Sequence, residues 1–354
     1  LSVVFRADGS SHLGLGHVVR CLALAQYLKQ KKGIDSFFVL RAEKDIVRMI
    51  ETQGFPTFSA PDDFEGDYLF IQEVAKNKNA KIVISDICHP ENLVRMDDLK
   101  SYLRKIEENF FLMSLGGGTS FDIPGHIVVY PYFRLSFQKP ENGKDRNFLL
   151  GPSYFIFRDE FLKVRPKKRK ISPEARKILV TIGGGDPYRI SLLAAKSLKL
   201  IEDDLKIKIV IGPAYPKSLP QEIQSALQGK NIQLLDSSSS LPEEMLWCDL
   251  AVTGDGLTKY ETALTGTPSI MISQPLSEIE LNRDFVKAGT VHYLENSETV
   301  SPEKLAGEIN RFLNNEELRK QMSRKGMEMT DGKGIEKIIS HIPPSLILSR
   351  PHAT

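Results

Sequence analysis

Arg6-Ala7-Asp8-Gly9-Ser10-Ser11-His12-Leu13-Gly14-Leu15-Gly16-His17-Val18-Val19-Arg20 joins an apolar run, Ser2-Val3-Val4-Phe5, to a stretch with helical spacing. An uninterrupted apolar run suits a strand covered on both faces, and the helix that follows supplies one of the covers. The same change recurs down the chain. Strands are expected at Ser2–Arg6, Ser36–Leu40, Lys81–Ser85 and Phe110–Met113, with helices near Val18–Lys31, Ala42–Thr52 and Asn92–Ile106 between them. Such alternation implies parallel strands joined by right-handed crossovers, hence an α/β fold with a doubly wound sheet.

The rhythm lapses over Pro131–Asn147 and resumes at Lys177–Ile182. Helices are then expected at Ile190–Leu200, Pro220–Leu227, Leu257–Leu264 and Glu280–Lys287, with two more within Pro302–Arg324. The intervening strands are Ile207–Ile211, Ile232–Leu235, Leu250–Thr253 and Ser269–Ile272. Two doubly wound domains in tandem result, 1–160 and 172–342, with the boundary inside Gly151–Pro173. The basic run Val164–Lys170 has no interleaved aromatics, so a solvated linker is favoured over a nucleic-acid patch. Ligands of such sheets bind beyond the carboxyl ends of the strands. Two facing domains therefore place the expected site in an interdomain cleft.

Length and composition agree with this frame. A chain of 354 residues with 41% hydrophobic and 26% charged side chains can bury two cores. A formal charge of +2 gives no case for nucleic acid or an anionic membrane as partner. Cys21, Cys88 and Cys248 are odd in number and widely spaced, which argues for a reducing compartment. No apolar stretch reaches the roughly 18 residues of a membrane helix, and no signal-peptide pattern precedes Ser2. A cytoplasmic protein without a membrane span is expected.

Gly14 and Gly16 let the backbone turn tightly, and the helix that follows aims its first N–H groups at whatever occupies the strand end. His17 falls in that first turn, where the helix dipole disfavours imidazolium and favours a neutral ring able to accept a proton. A helix-capping histidine with purely structural glycines is the alternative. The run lacks the third glycine of a dinucleotide fingerprint, and no acidic residue ends the expected second strand near Leu40, so no nicotinamide cofactor is expected. Two more glycine-rich strand ends follow, Thr181-Ile182-Gly183-Gly184-Gly185-Asp186 and Thr253-Gly254-Asp255-Gly256-Leu257-Thr258. Each suits a phosphate group. Glu261, one turn further on, can reach a ribose diol. Together they favour a diphosphate-linked ligand, although each alone is equally a tight turn.

The Arg6–Arg20 run resembles the opening of the nucleotide-sugar hydrolases of pseudaminic acid biosynthesis and their spore-coat polysaccharide relatives. Gly151-Pro152-Ser153-Tyr154-Phe155-Ile156-Phe157-Arg158-Asp159-Glu160-Phe161 is similar to that family's interdomain signature. Ile182–Asp186, Gly256-Leu257-Thr258-Lys259-Tyr260-Glu261 and Gly266-Thr267-Pro268 resemble its nucleotide-binding elements. The resemblance implies a GT-B architecture, a metal-independent hydrolysis of a UDP-diacetamido-trideoxy-hexose, His17 as catalytic residue and Glu261 as ribose ligand. It also makes Gly14, Gly16, Gly183, Gly184, Gly185, Asp186, Gly256, Leu257 and Thr258 substrate contacts, with Asp8 and Arg20 as further candidates. No Asp-x-Asp or clustered His/Cys set suggests a metal.

The chain departs from the family pattern on the sugar side. Asp86-Ile87-Cys88 stands for an Asp-x-Tyr, Ser277-Glu278 for an Asn-Gln, and Ser114-Leu115-Gly116-Gly117-Gly118 for a strand followed by paired aspartates. Two rival functions stay open: a glycosyltransferase using a UDP-sugar donor, and a non-catalytic nucleotide-sugar-binding protein. His89 and His126 are expected on solvated loops, Cys21 and Trp247 in cores, and His341 and His352 in a mobile tail.

Overall fold

The first strand, β1 (Ser2–Gly9), is buried at every position, and its alternating side chains enter different cores. Val3, Phe5 and Ala7 pack with α1 (Gly16–Tyr27) on one face. Val4 packs on the other with α3 (Phe64–Asn77) and α4 (Met96–Asn109). Two covered faces explain why the strand carries no polar alternation. The computed structural model describes residues 1–10, 15–87, 96–116, 122–133, 147–236, 240–274 and 279–347.

These residues form two compact units. In the first, β1 lies between β2 (Asp35–Ala42) and β4 (Ala80–Asp86). The sheet extends through β3 (Thr57–Ser59) on one side and β5 (Phe111–Leu115), β6 (Ile127–Tyr130) and β7 (Asn147–Leu150) on the other. The seven strands run in the order β3-β2-β1-β4-β5-β6-β7, and every pairing is parallel. α2 (Lys44–Thr52) joins β2 to β3. The expected first helix is split, because α1 ends at Tyr27 and continues as a π-helical turn to Lys32, closed by Gly33 at φ +65°.

The second unit begins with α5 (Asp159–Val164) and builds a six-stranded parallel sheet in the order β10-β9-β8-β11-β12-β13. Its strands are β8 (Lys177–Thr181), β9 (Lys206–Val210), β10 (Asn231–Leu235), β11 (Leu250–Thr253), β12 (Ser269–Ser273) and β13 (His292–Asn296). The helices are α6 (Ile190–Lys199), α7 (Leu219–Ala226), α8 (Leu241–Trp247), α9 (Thr258–Thr265), α10 (Ile279–Lys287), α11 (Pro302–Leu313) and α12 (Glu316–Met329). Strand order reverses between β1 and β4 in one sheet and between β8 and β11 in the other. Such reversals leave an opening at the carboxyl ends of the strands.

Two expectations about the join are revised. Residues 333–342, expected to close the second domain, complete the first: α13 (Gly334–Ser340) adds Ile335, Ile338 and Ile339 to the core beside α1. His341, placed in a mobile tail, caps that helix and meets the Tyr154 ring edge-on at 6.3 Å. The basic run is solvated only in part: Lys167, Lys168 and Lys170 are exposed as a linker would have them, but its two arginines are engaged. Arg165 Nη2 donates to the Thr330 carbonyl at 3.0 Å, and Arg169 donates to Thr267 Oγ1 at 3.0 Å and the Cys248 carbonyl at 2.5 Å. Guanidinium groups suit this task, since one side chain can satisfy several carbonyls. No helix among the described residues is long and apolar enough to cross a membrane.

Candidate active site

Asp86 is the last residue of β4, and its side chain is wholly buried at the switch point of the first sheet. An isolated carboxylate there would be costly, so partners surround it. His17 Nδ1 lies 2.7 Å from Oδ1, and Arg20 donates to Oδ1 from Nη2 at 2.5 Å and to Oδ2 from Nε. Arg20 Nη1 reaches the Tyr132 hydroxyl beyond β6, and the Cys21 thiol sits 3.7 Å from Oδ2. Burial alone would raise the Asp86 carboxyl, but Arg20 and His17 outweigh it and hold it at about 2. The same burial pushes the Cys21 thiol up, leaving it a core group as expected.

That environment fixes the imidazole. A carboxylate only accepts, so the 2.7 Å contact requires a proton on Nδ1, and in the neutral ring the lone pair is then on Nε2. Arg20 Nη2 stands 3.1 Å from the same Nδ1, but a guanidinium cannot accept that proton, and the shorter contact decides the tautomer. The His17 side chain is 13% exposed. In its neutral form a histidine so held can accept a proton at Nε2, with a buried orienting acid behind it.

The other first-unit candidates fall out differently. Gly16 opens α1, and Gly14 lies outside the described residues. Arg20 is spent on Asp86 and Tyr132 and is 3% exposed, so it anchors the site. Asp8 is also 3% exposed and accepts from Arg6 Nη1 at 2.5 Å, while Arg6 Nε donates to Asp67 at 2.8 Å. That pairing ties Asp8 to a buried charge network of the sheet. Cys88, His89, Gly117, Gly118, Ser277, Glu278 and His352 lie outside the described residues. His126 is an exposed residue of the bend before β6, as expected, and its ring stacks on Phe111 at 4.9 Å and accepts from Leu112 N–H at 3.2 Å. Trp247, expected in the core, is half-buried beneath Lys208, whose Nζ is 4.3 Å from the ring centre.

In the second unit the carboxyl ends of β8, β9 and β11 approach one another through glycine. A Cβ on Gly212, just after β9, would meet the carbonyls of Gly183 and Gly184 within 2.4 and 2.5 Å, and one on Gly254 would meet the Ile182 carbonyl at 2.6 Å. Gly183 itself takes φ +124°. Ala214 N–H donates to the Gly184 carbonyl at 2.9 Å, so the Gly183–Gly185 turn is braced from β9. Asp186, expected as a ligand contact, instead holds the start of α6: its oxygens accept from the N–H groups of Ile190 and Ser191 at 2.7 and 2.8 Å.

Gly256 and Leu257 form the turn into α9; Gly256 is exposed, while Thr258 and Glu261 are 5% and 8% exposed in its first turn. A buried carboxylate at a helix start is stabilised by the positive end of the helix dipole. Sequence reasoning quoted Asp86 and Lys259 without giving them roles, and passed over Tyr132, Gly212 and Asn282. The available signal for Asp86 was a lone acid closing the strand that begins with the apolar run Ile82-Val83-Ile84.

Comparison with known proteins agrees with this architecture. Residues 178–338 match the glycosyltransferase family 28 C-terminal domain. The chain is 24% identical over 337 residues to the spore coat polysaccharide biosynthesis protein SpsG of Bacillus subtilis, covering 94% of this chain and 95% of that one. It is 26% identical over 294 residues to an uncharacterized protein of Methanocaldococcus jannaschii, covering 81% of this chain and 58% of that one. It is 25% identical over 279 residues to the pseudaminic acid cytidylyltransferase and UDP-2,4-diacetamido-2,4,6-trideoxy-beta-L-altropyranose hydrolase of Helicobacter pylori, covering 78% of this chain and 45% of that one. The chain thus spans about half the length of the last two proteins. Among solved structures it resembles Acinetobacter baumannii MurG with a TM-score of 0.69 at 16% identity, covering 96% and 99% of the two chains. It also resembles a Staphylococcus aureus MnaA–UDP complex with a TM-score of 0.62 at 13% identity, covering 99% of each chain. The fold is therefore a pair of parallel-sheet α/β domains with GT-B structural neighbours.

Proposed function

We propose that this chain is a nucleotide-sugar enzyme that hydrolyses a UDP-diacetamido-trideoxy-hexose, releasing UDP. The observation that carries the proposal is the His17–Asp86 pair, which leaves Nε2 as the proton acceptor. The name of the Helicobacter pylori relative supplies the substrate class, and that of the Bacillus subtilis relative points to polysaccharide biosynthesis. UDP is assigned to the second unit, with phosphates at Gly183–Gly185 and Gly256–Thr258 and the ribose diol at Glu261. His17 Nε2 takes a proton from water as its oxygen bonds to the anomeric carbon. The bond from that carbon to the diphosphate oxygen breaks, and UDP departs with the electron pair. Base assistance of this kind is worth about 10²–10⁴-fold.

Attack at carbon rather than phosphorus is favoured by the carboxylates beside the phosphate turns. Asp186 is engaged by α6 and Asp255 accepts from Asn282, so neither is placed to activate water. Hydrolysis in ¹⁸O-water should put the label on the sugar's anomeric hydroxyl and leave UDP unlabelled. His17→Asn should keep UDP affinity and lose about 10²-fold or more in kcat. Label in UDP, or near-normal turnover by the variant, would overturn the mechanism. The likeness to MurG and to the family 28 C-terminal domain favours a second reading, in which His17 deprotonates an acceptor hydroxyl. UDP release that requires an added sugar or lipid-linked acceptor would select it.

A further inference from the structure

Lys259 follows Thr258 in α9, yet its side chain turns back on the loop it has just left. Nζ donates to the main-chain carbonyl of Asp255 at 2.8 Å and to Oδ1 of Asn282 at 2.9 Å. Asn282, on α10, donates from Nδ2 to Oδ2 of Asp255 at 2.9 Å. The amide orientation follows from its partners, since an ammonium only donates and a carboxylate only accepts. Lys259 is 6% exposed and Asn282 2%. Nζ also lies 5.7 Å from the Phe285 ring centre and 5.9 Å from that of Tyr260.

Packing alone does not call for an ammonium here. An unbranched apolar side chain would fill the space beside two rings without the cost of removing a charge from water. What the ammonium adds is a fixed direction for one peptide plane. In a trans peptide the carbonyl and the following N–H point opposite ways. Holding the Asp255 carbonyl toward Lys259 therefore turns the Gly256 N–H to the other side, and Gly256 is exposed. The same ammonium places a positive charge behind a turn whose expected occupant is a diphosphate, and water screens it little because it is buried.

We infer that Lys259 and Asn282 are positioning residues for the pyrophosphate group, setting the Gly254–Thr258 turn and offsetting the charge bound on it; this rests on the assignment of UDP to the second unit. The test is calorimetric titration of wild type, Lys259→Met and Asn282→Ala with UDP, UMP and uridine. Lys259→Met should weaken UDP about tenfold or more, UMP less, and uridine by less than twofold. Asn282→Ala should follow the same order with smaller losses, and it carries the comparison if Lys259→Met does not fold. Equal losses for all three ligands would show a general structural role and overturn the inference, as would unchanged UDP affinity. Wild type that binds none of the three would overturn the assignment of UDP itself.

Discussion

In His17 the two ring nitrogens are distinguished by one contact, Nδ1 to Asp86 at 2.7 Å. Asp86→Asn replaces an acceptor by a group that can also donate, so the ring is released to the other tautomer and Nε2 can carry the proton. We expect kcat to fall about 10²-fold or more, with UDP affinity unchanged because the nucleotide is assigned elsewhere. Stability should change as well, and with a definite sign. The folded carboxyl stands at about 2, below the unfolded value of about 3.9, so its contribution is fully present above the unfolded value and is lost as pH falls through about 2. That contribution is about 2.5 kcal/mol by proton linkage. Removing the charge also leaves the Arg20 guanidinium buried without its carboxylate. Unfolding free energies of wild type and Asp86→Asn should differ most near neutral pH, and the difference should narrow from about pH 4 downward as pH falls through about 2. Parallel curves over that range would show that Asp86 is not ionised in the folded protein.

The strand ends of the second unit depend on close backbone approach, and this is testable one glycine at a time. At Gly212 the atoms that a Cβ would strike are two main-chain carbonyl oxygens, which cannot swing aside as a long side chain can. Gly212→Ala should cost about 1–3 kcal/mol by overpacking and should weaken UDP binding by displacing the Gly183–Gly185 turn. Gly307, inside α11 with nothing within 4 Å of an added Cβ, is the control. Gly307→Ala should stabilise by about 0.5–1 kcal/mol through helix propensity. Thermal melts with and without UDP check both, and equal behaviour of the two variants would refute the bracing role of β9. The long apolar strands and amphipathic helices that make these ends were legible because periodicity is local. β3, with three residues, and β6 and β7, with four each, are too short to show a period, and the sheet supplies their definition by pairing. The glycine turns and His17 were legible for the same local reason. Asp86 and Tyr132 were not, since Asp86 is 69 residues from His17 and Tyr132 112 from Arg20. No spacing rule connects such pairs; only the strand order brings them together.

At the scale of the whole molecule the chain leaves the first unit at Arg158 and returns to it at Lys333. The return is tightly seated, because a Cβ on Gly334 would lie 2.0 Å from the Phe155 carbonyl. Behind it Ile335, Ile338, Ile339 and Ile342 enter the first core. Each buried isoleucine is worth about 1.5–3 kcal/mol, so the segment's share is large against a usual total of about 5–15 kcal/mol. Gly334→Ala should therefore raise hydrogen exchange throughout residues 1–158 while leaving residues 159–332 at wild-type protection. Uniform loosening of both stretches would contradict the division. The same chain path bears on synthesis. A ribosome adding about 5–20 residues per second needs roughly 10–35 s to pass from residue 159 to residue 332. Throughout that interval the nascent first unit lacks its last core helix and presents the apolar seat of those isoleucines to chaperones. The second unit, whose sequence is continuous, emerges complete and is free to fold before the unit whose synthesis began first.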